Sequence, residues 1–204
     1  MKRTSDNIYF FTLISLFLMA LGCARGPQYS KTYPTAEDFH PKRIVALPSV
    51  MENVETPGSG SSIVCLDELI VSSLQKKGSF EEVLESYNIK SQLQSDTDLQ
   101  GSVEDFLNKL NDADTCHEDV ARQIGKKLNV DAILVAKVME KVYGKSRKGK
   151  IAKISLSFKL INSSTGKIFW DASHEIDEKH SSKKSSLCEM GEELLEKIFK
   201  EMPF

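Results

Sequence analysis

Cysteine, tryptophan and proline are scarce in this chain of 204 residues, with four, one and six copies respectively. The cysteines, Cys23, Cys65, Cys116 and Cys188, form no CxxC pair and share no zinc-site spacing with a histidine, which excludes a zinc ribbon and a dithiol redox centre. There is no excess of charge of either sign. A net charge of -2 lacks the basic surplus that a general nucleic-acid binder needs. Gly58-Ser59-Gly60 has neither the lysine nor the preceding strand of a phosphate-binding loop, and no serine-centred nucleophile elbow occurs. The four histidines, His40, His117, His174 and His180, fall in a linker, a helix start, a strand and a loop. His174, Asp177 and His180 are neighbours in sequence, but alternation along a strand denies them a metal geometry. These absences predict a protein that is not an enzyme and that uses no cofactor, metal or small-molecule substrate.

A long apolar run occurs once, at the start. Lys2 and Arg3 precede 14 residues from Ile8 to Leu21 that only Thr12 and Ser15 interrupt. A bilayer span needs roughly 20 residues, so the segment reads as a removable export signal over 1–22. It ends in Ala20-Leu21-Gly22-Cys23, which resembles the lipobox of bacterial lipoproteins with Ala and Leu in exchanged places. That resemblance implies cleavage before Cys23, acylation of its thiol, and attachment to a membrane through lipid. Ala24 in place of Asp after the cysteine implies sorting to the outer membrane, on its periplasmic side.

Removing the signal leaves 182 residues, Cys23–Phe204, enough for a tether and one domain. Residues 23–42 carry three prolines and little apolar periodicity and read as a lipidated N-terminus and flexible tether. Its roughly twenty residues reach at most ~65 Å. The domain then covers 43–204. In an oxidising periplasm two of Cys65, Cys116 and Cys188 have the opportunity to pair, with no pairing fixed by sequence; buried unpaired thiols are the simplest reading.

Within 43–204, Ile44–Leu47 reads as a short buried strand ended by Pro48. Ile63, Leu66, Leu69, Ile70 and Leu74 recur on one face of a helix over about 61–77, with Gly78 as its stop. A short strand near 80–84 and short helices near 88–94 and 103–111 follow. Thr115 and Glu118 have capping-box spacing before a helix bearing Val120, Ala121, Ile124 and Leu128. The spacing then predicts strands over 131–143, 151–161 and 167–176, the second with Ile154, Leu156, Phe158 and Leu160 on one face and lysines and serines on the other. Asn162–Gly166 is a turn, and Leu187, Met190, Leu194, Leu195 and Ile198 mark a last amphipathic helix over 184–201 whose Glu189, Glu192, Glu193 and Glu196 face water. An early βαβ unit followed by an antiparallel three-strand meander predicts a single mixed β-sheet with packed helices, an α/β (α+β) domain.

Three segments in this order resemble one superfamily: Arg43–Pro48 (RIVALP), Ala121–Val135 (ARQIGKKLNVDAILV) and Ser155–Ala172 (SLSFKLINSSTGKIFWDA). It is the group of bacterial lipoproteins and envelope domains that includes the penicillin-binding-protein activator LpoB, the curli secretion lipoprotein CsgG and the amino-terminal domain of TolB. Ser49 stands where family openings carry an aromatic residue. The shared residues are those of a scaffold. Gly125 in mid-helix implies close approach of helix and sheet, Gly166 supplies a positive φ, and Trp170 is predicted core.

The resemblance implies a non-enzymatic interaction or assembly module of the cell envelope, its partner another envelope protein such as a peptidoglycan synthase or an assembly machine. The alternative it implies is a CsgG-like part of an outer-membrane secretion or surface-assembly apparatus. A pore made by this chain alone needs membrane hairpins with strands of ~9–11 alternating residues, which the basic 143–151 segment, read as a loop, does not supply. Within that loop Lys145, Arg147, Lys148 and Lys150 are candidates for contact with a partner or with anionic lipid.

Overall fold

The alternation of Ile154, Leu156, Phe158 and Leu160 with polar residues makes a strand with two unlike faces, and the sheet is built around it. The computed structural model describes residues 29–33, 39–51, 59–113, 117–146, 149–180 and 187–204. Among these, in chain order, are β1 (Tyr29–Thr32), β2 (Arg43–Ala46), β3 (Val50–Met51), α1 (Ser59–Lys77), β4 (Glu82–Leu84), α2 (Ser86–Ser95), α3 (Thr97–Ala113), α4 (Glu118–Leu128), β5 (Ala132–Ser146), β6 (Gly149–Asn162), β7 (Ile168–His180) and α5 (Leu187–Lys200). They form one mixed seven-stranded sheet in the order β1-β7-β6-β5-β2-β4, with β3 also against β5. β2 runs parallel to both β4 and β5, while β5, β6 and β7 form an antiparallel meander.

One face of the sheet packs on α1 and α5. Its core includes Leu134, Leu156, Phe158, Trp170, Leu194 and Ile198, all fully buried. α1 and α5 are tied at both ends. Near their starts Cys65 is bonded to Cys188, with Cα atoms 6.0 Å apart, so these thiols are paired rather than free as the sequence reading favours. Their 123-residue separation hid the pairing, because only the packing of α1 on α5 brings them together. Near their ends the Lys77 ammonium donates to the carbonyls of Phe199 and Met202 at 3.0 and 3.2 Å, and burial holds its pKa below the ordinary lysine value. Cys116 and Thr115 lie outside the described residues.

The other face packs on α2, α3 and α4 around Val45, Ile133, Phe106, Ile124 and Ile161. Gly125 of α4 is what allows this approach. A Cβ there would sit 2.5 Å from the Ser163 Cβ and 3.2 Å from the Val130 carbonyl. Gly166 has φ +66°, and its chain passes so close to α4 that a Cβ would meet Glu118 Cα at 2.7 Å. Asp131, at the turn into β5, accepts hydrogen bonds from the backbone N–H groups of Lys42 and Arg43, each at 2.9 Å, and so fixes where β2 starts. Ser49 donates its N–H to Asp67 of α1 at 2.9 Å, and Asp67 pairs with Lys90 of α2 at 2.9 Å. The chain just after β2 is therefore joined to helices on both sides of the sheet.

Two expectations fail. Tyr29–Thr32, assigned to the tether, is an edge strand paired with β7. Its four side chains are exposed, so it has no apolar periodicity to betray it. The 143–151 segment, expected as a loop, is mostly strand: Gly144 pairs with Ile151, Lys145 with Lys150 and Ser146 with Gly149.

Candidate functional site

The meander gives β6 and β7 one face that leaves the helices behind. Toward β2, α2–α4 cover Ile133, Val135 and Ile161. Farther along the same face come Lys137 and Met139 on β5, Ser157 and Lys159 on β6, and Asp171, Ser173 and Glu175 on β7, followed by Tyr29 and Lys31 on β1. All of these except Asp171 are at least partly exposed. Tyr29 and Met139 are two of the large apolar side chains that the fold leaves in water, at 48% and 41% exposure. A bulge between Val138 and Glu140 gives Met139 this position while Val138 stays in the core.

The polar centre of the face is Asp171, which is 5% exposed. Tyr33 donates its hydroxyl to Asp171 Oδ2 at 3.1 Å, and the Lys31 ammonium lies 4.3 Å from the Tyr33 ring centroid. The Tyr29 hydroxyl also bonds to Asp171; burial first, then that bond and the carboxylate charge, hold it above the ordinary phenol value. Lys159 faces Asp171 across the β6–β7 ladder. Burial pushes its ammonium below the ordinary lysine value, and the Asp171 charge partly opposes this. On the opposite face the Trp170 indole N–H donates to Ser30 Oγ at 3.0 Å. β1 is thus clasped from both sides by adjacent residues of β7.

The cavity lined by Val50, Leu110, Val135, Lys137, Met139, Ser157 and Lys159 holds about 160 Å³, below the ~300–1,000 Å³ typical of small-molecule sites. Among the described residues no group of three His, Cys, Asp or Glu is placed to hold a metal ion. His174 is 1% exposed, with Nε2 3.4 Å from Glu201 Oε2 just after α5.

Of the residues singled out in the sequence, Cys23, Arg147 and Lys148 lie outside the described residues. Lys145 and Lys150 are paired across the last rungs of the β5–β6 hairpin, at the far end from the turn Asn162–Gly166. Sequence reasoning missed Tyr29, Tyr33 and Asp171, because the first two stand in a proline-containing stretch that reads as linker. The only signal was Asp171 itself, a carboxylate between Trp170 and Ala172 in a strand whose neighbours are apolar.

No family model matches the chain, and no curated protein matches it in sequence. Solved structures do match in fold. PelC from Paraburkholderia phytofirmans, solved as a dodecamer, is 16% identical with a TM-score of 0.53 over 86% of this chain and 95% of its own. Lipoprotein GNA1162 from Neisseria meningitidis is 18% identical with a TM-score of 0.51 over 74% of this chain and 92% of its own. The LpoB C-terminal domain from Escherichia coli is 13% identical with a TM-score of 0.38 over 70% of this chain and 88% of its own, too low to carry weight. At these identities the likeness is one of fold: a mixed α/β domain that a bacterial lipoprotein also uses.

Proposed function

We propose that this chain is a lipid-anchored, non-enzymatic assembly module of the cell envelope, attached through Cys23 and acting through protein contacts made close to its membrane. The observation that carries the reading is the docking of β1, which ties the chain to the sheet from Tyr29. Six residue steps separate Cys23 from Tyr29 and span at most about 20 Å, against the ~65 Å of the tether expected from sequence. A domain held this near its anchor is poorly suited to reach a peptidoglycan synthase across the periplasm. It is well suited to a partner at the same membrane. The outer membrane, indicated by Ala24, is the membrane we propose.

PelC, with the same fold, is a dodecamer, and assembly of this chain in several copies is the form we favour. The β5–β7 face, with Met139 and Tyr29 exposed on it, supplies a contact surface. Photo-crosslinking in the native envelope tests this. A benzophenone amino acid in place of Met139 or Ser173 is expected to give adducts at multiples of the chain's own mass, while the same group at exposed Glu192 on α5 gives none. Adducts with a peptidoglycan synthase would support the activator form instead. Adducts at Glu192 and none on the open face would contradict the surface.

A further inference from the structure

The strand register puts the start of β1 and the lysine-bearing end of β5, β6 and β7 on the same side of the sheet. β1 runs antiparallel to β7, with Thr32 facing Trp170 and Tyr29 facing Ser173, so β1 begins on the side of the C-terminal end of β7. That end is the tip of the three-stranded arm. Lys145 pairs with Lys150, Lys150 with His180, and Ile151 with Lys179. From Ser173 to Lys179 is six residues of strand, about 20 Å. From Tyr29 back to Cys23 is also six residues, with the same reach. That length is enough to bring Cys23 level with the tip.

From the Ile154–Ile176 pair the strands run four residues further, about 13 Å. The final three rungs contain Lys145, Lys150 and Lys179 and no Asp or Glu; the nearest acids in the register, Glu178 and Asp177, pair with Ala152 and Lys153 behind them. Attraction to an anionic surface falls off over about 8 Å at physiological salt, so isolated lysines gain little unless something holds them close. An anchor that reaches no further than the tip does that.

We propose that the basic end of the β5–β6–β7 arm rests on the anionic phospholipid headgroups of the anchoring membrane, so that the domain stands on the membrane arm-first. This rests on the lipidation of Cys23 proposed above. The arm acts as the second of two membrane signals, fixing orientation where the lipid fixes attachment. It also leaves the Tyr29–Met139 face upright beside the membrane, turned toward neighbouring copies.

The test uses the lipoprotein extracted from its own membranes and reconstituted in two kinds of vesicle, phosphatidylcholine alone and phosphatidylcholine with one quarter phosphatidylglycerol. Intact mass establishes first whether Cys23 carries lipid. Amide hydrogen exchange is then read over residues 143–151. On the anionic vesicles these amides are expected to exchange about tenfold more slowly than on the neutral ones. The slowing should be lost in K145E/K150E, two changes in the last rungs of the hairpin, and in about 0.5 M salt, where screening is stronger. Vesicle association of a Cys23→Ser chain should fall about fivefold for each lysine removed. Lipid on Cys23 with equal exchange on both vesicles would overturn the docking and leave the anchor standing. Absence of lipid on Cys23 would overturn both.

Discussion

Replacing Trp170 with alanine is expected to destabilise the domain by about 4 kcal/mol, the range for removing a large aromatic from a packed core, and to lower Tm by about 10 °C for a domain of this size. Trp170 is fully buried on the face covered by α1 and α5, next to Leu160 on β6 and level with Thr32 on β1. Its ring fills the core while its N–H reaches across to Ser30 Oγ. Two effects are therefore combined, and Trp170→Phe separates them. Phenylalanine keeps most of the volume and loses the hydrogen bond, so a loss of about 1–2 kcal/mol is expected. In either variant the amides of 29–33 should exchange faster than those of β5 and β6, because β1 is held by this bond and by the bonds of Tyr29 and Tyr33 to Asp171. Thermal unfolding and amide exchange check both statements. Loss of stability with β1 exchange unchanged would mean that the tryptophan does not hold the edge strand.

Reduction of the Cys65–Cys188 bond should have an effect of similar size. The bond joins residues 123 apart in sequence, and limiting the freedom of so long a loop in the unfolded chain gives about 4–5 kcal/mol in the chain-entropy model, with measured values of about 2–5 kcal/mol. Cys65→Ser or Cys188→Ser is expected to lower Tm by about 10 °C, and a reducing agent should lower the native protein's Tm to the same value while leaving either variant unmoved. A reductant effect that persists in Cys65→Ser would contradict the pairing. The bond also bears on location. Disulfides of this kind persist in oxidising compartments, which agrees with the export signal read at 1–22 on independent grounds.

Most of the sheet was legible because its strands are half buried. Ile154 to Leu160 alternate with polar residues since one side meets α5 and the other meets water, and Gly125, Gly166 and Trp170 each stand where backbone geometry or volume leaves little choice. The residues of the candidate site were not legible for the opposite reason. β1 is exposed along its whole length, and its place is dictated by Trp170 and Asp171 on a strand 140 residues away, as the Trp170–Ser30 bond shows. β3 is two residues long, too short for any periodicity. The 143–151 stretch is rich in lysine and glycine and lacks apolar alternation, so it reads as a solvated loop although strand pairing continues through most of it. Apolar burial writes a pattern into sequence, whereas an open, polar face does not.

The proposed attachment at Cys23 and the short lead from it to Tyr29 underlie both the assembly module and the arm-first docking. The most direct measurement is the distribution of the full-length chain and its Cys23→Ala variant between membrane and soluble periplasmic fractions, with the intact mass of each. The native chain is expected in the membrane fraction, beginning at a lipid-bearing Cys23, and the variant in the soluble fraction without lipid. A variant that stays in the membrane with the same mass shift as the native chain would contradict the anchor and everything built on it.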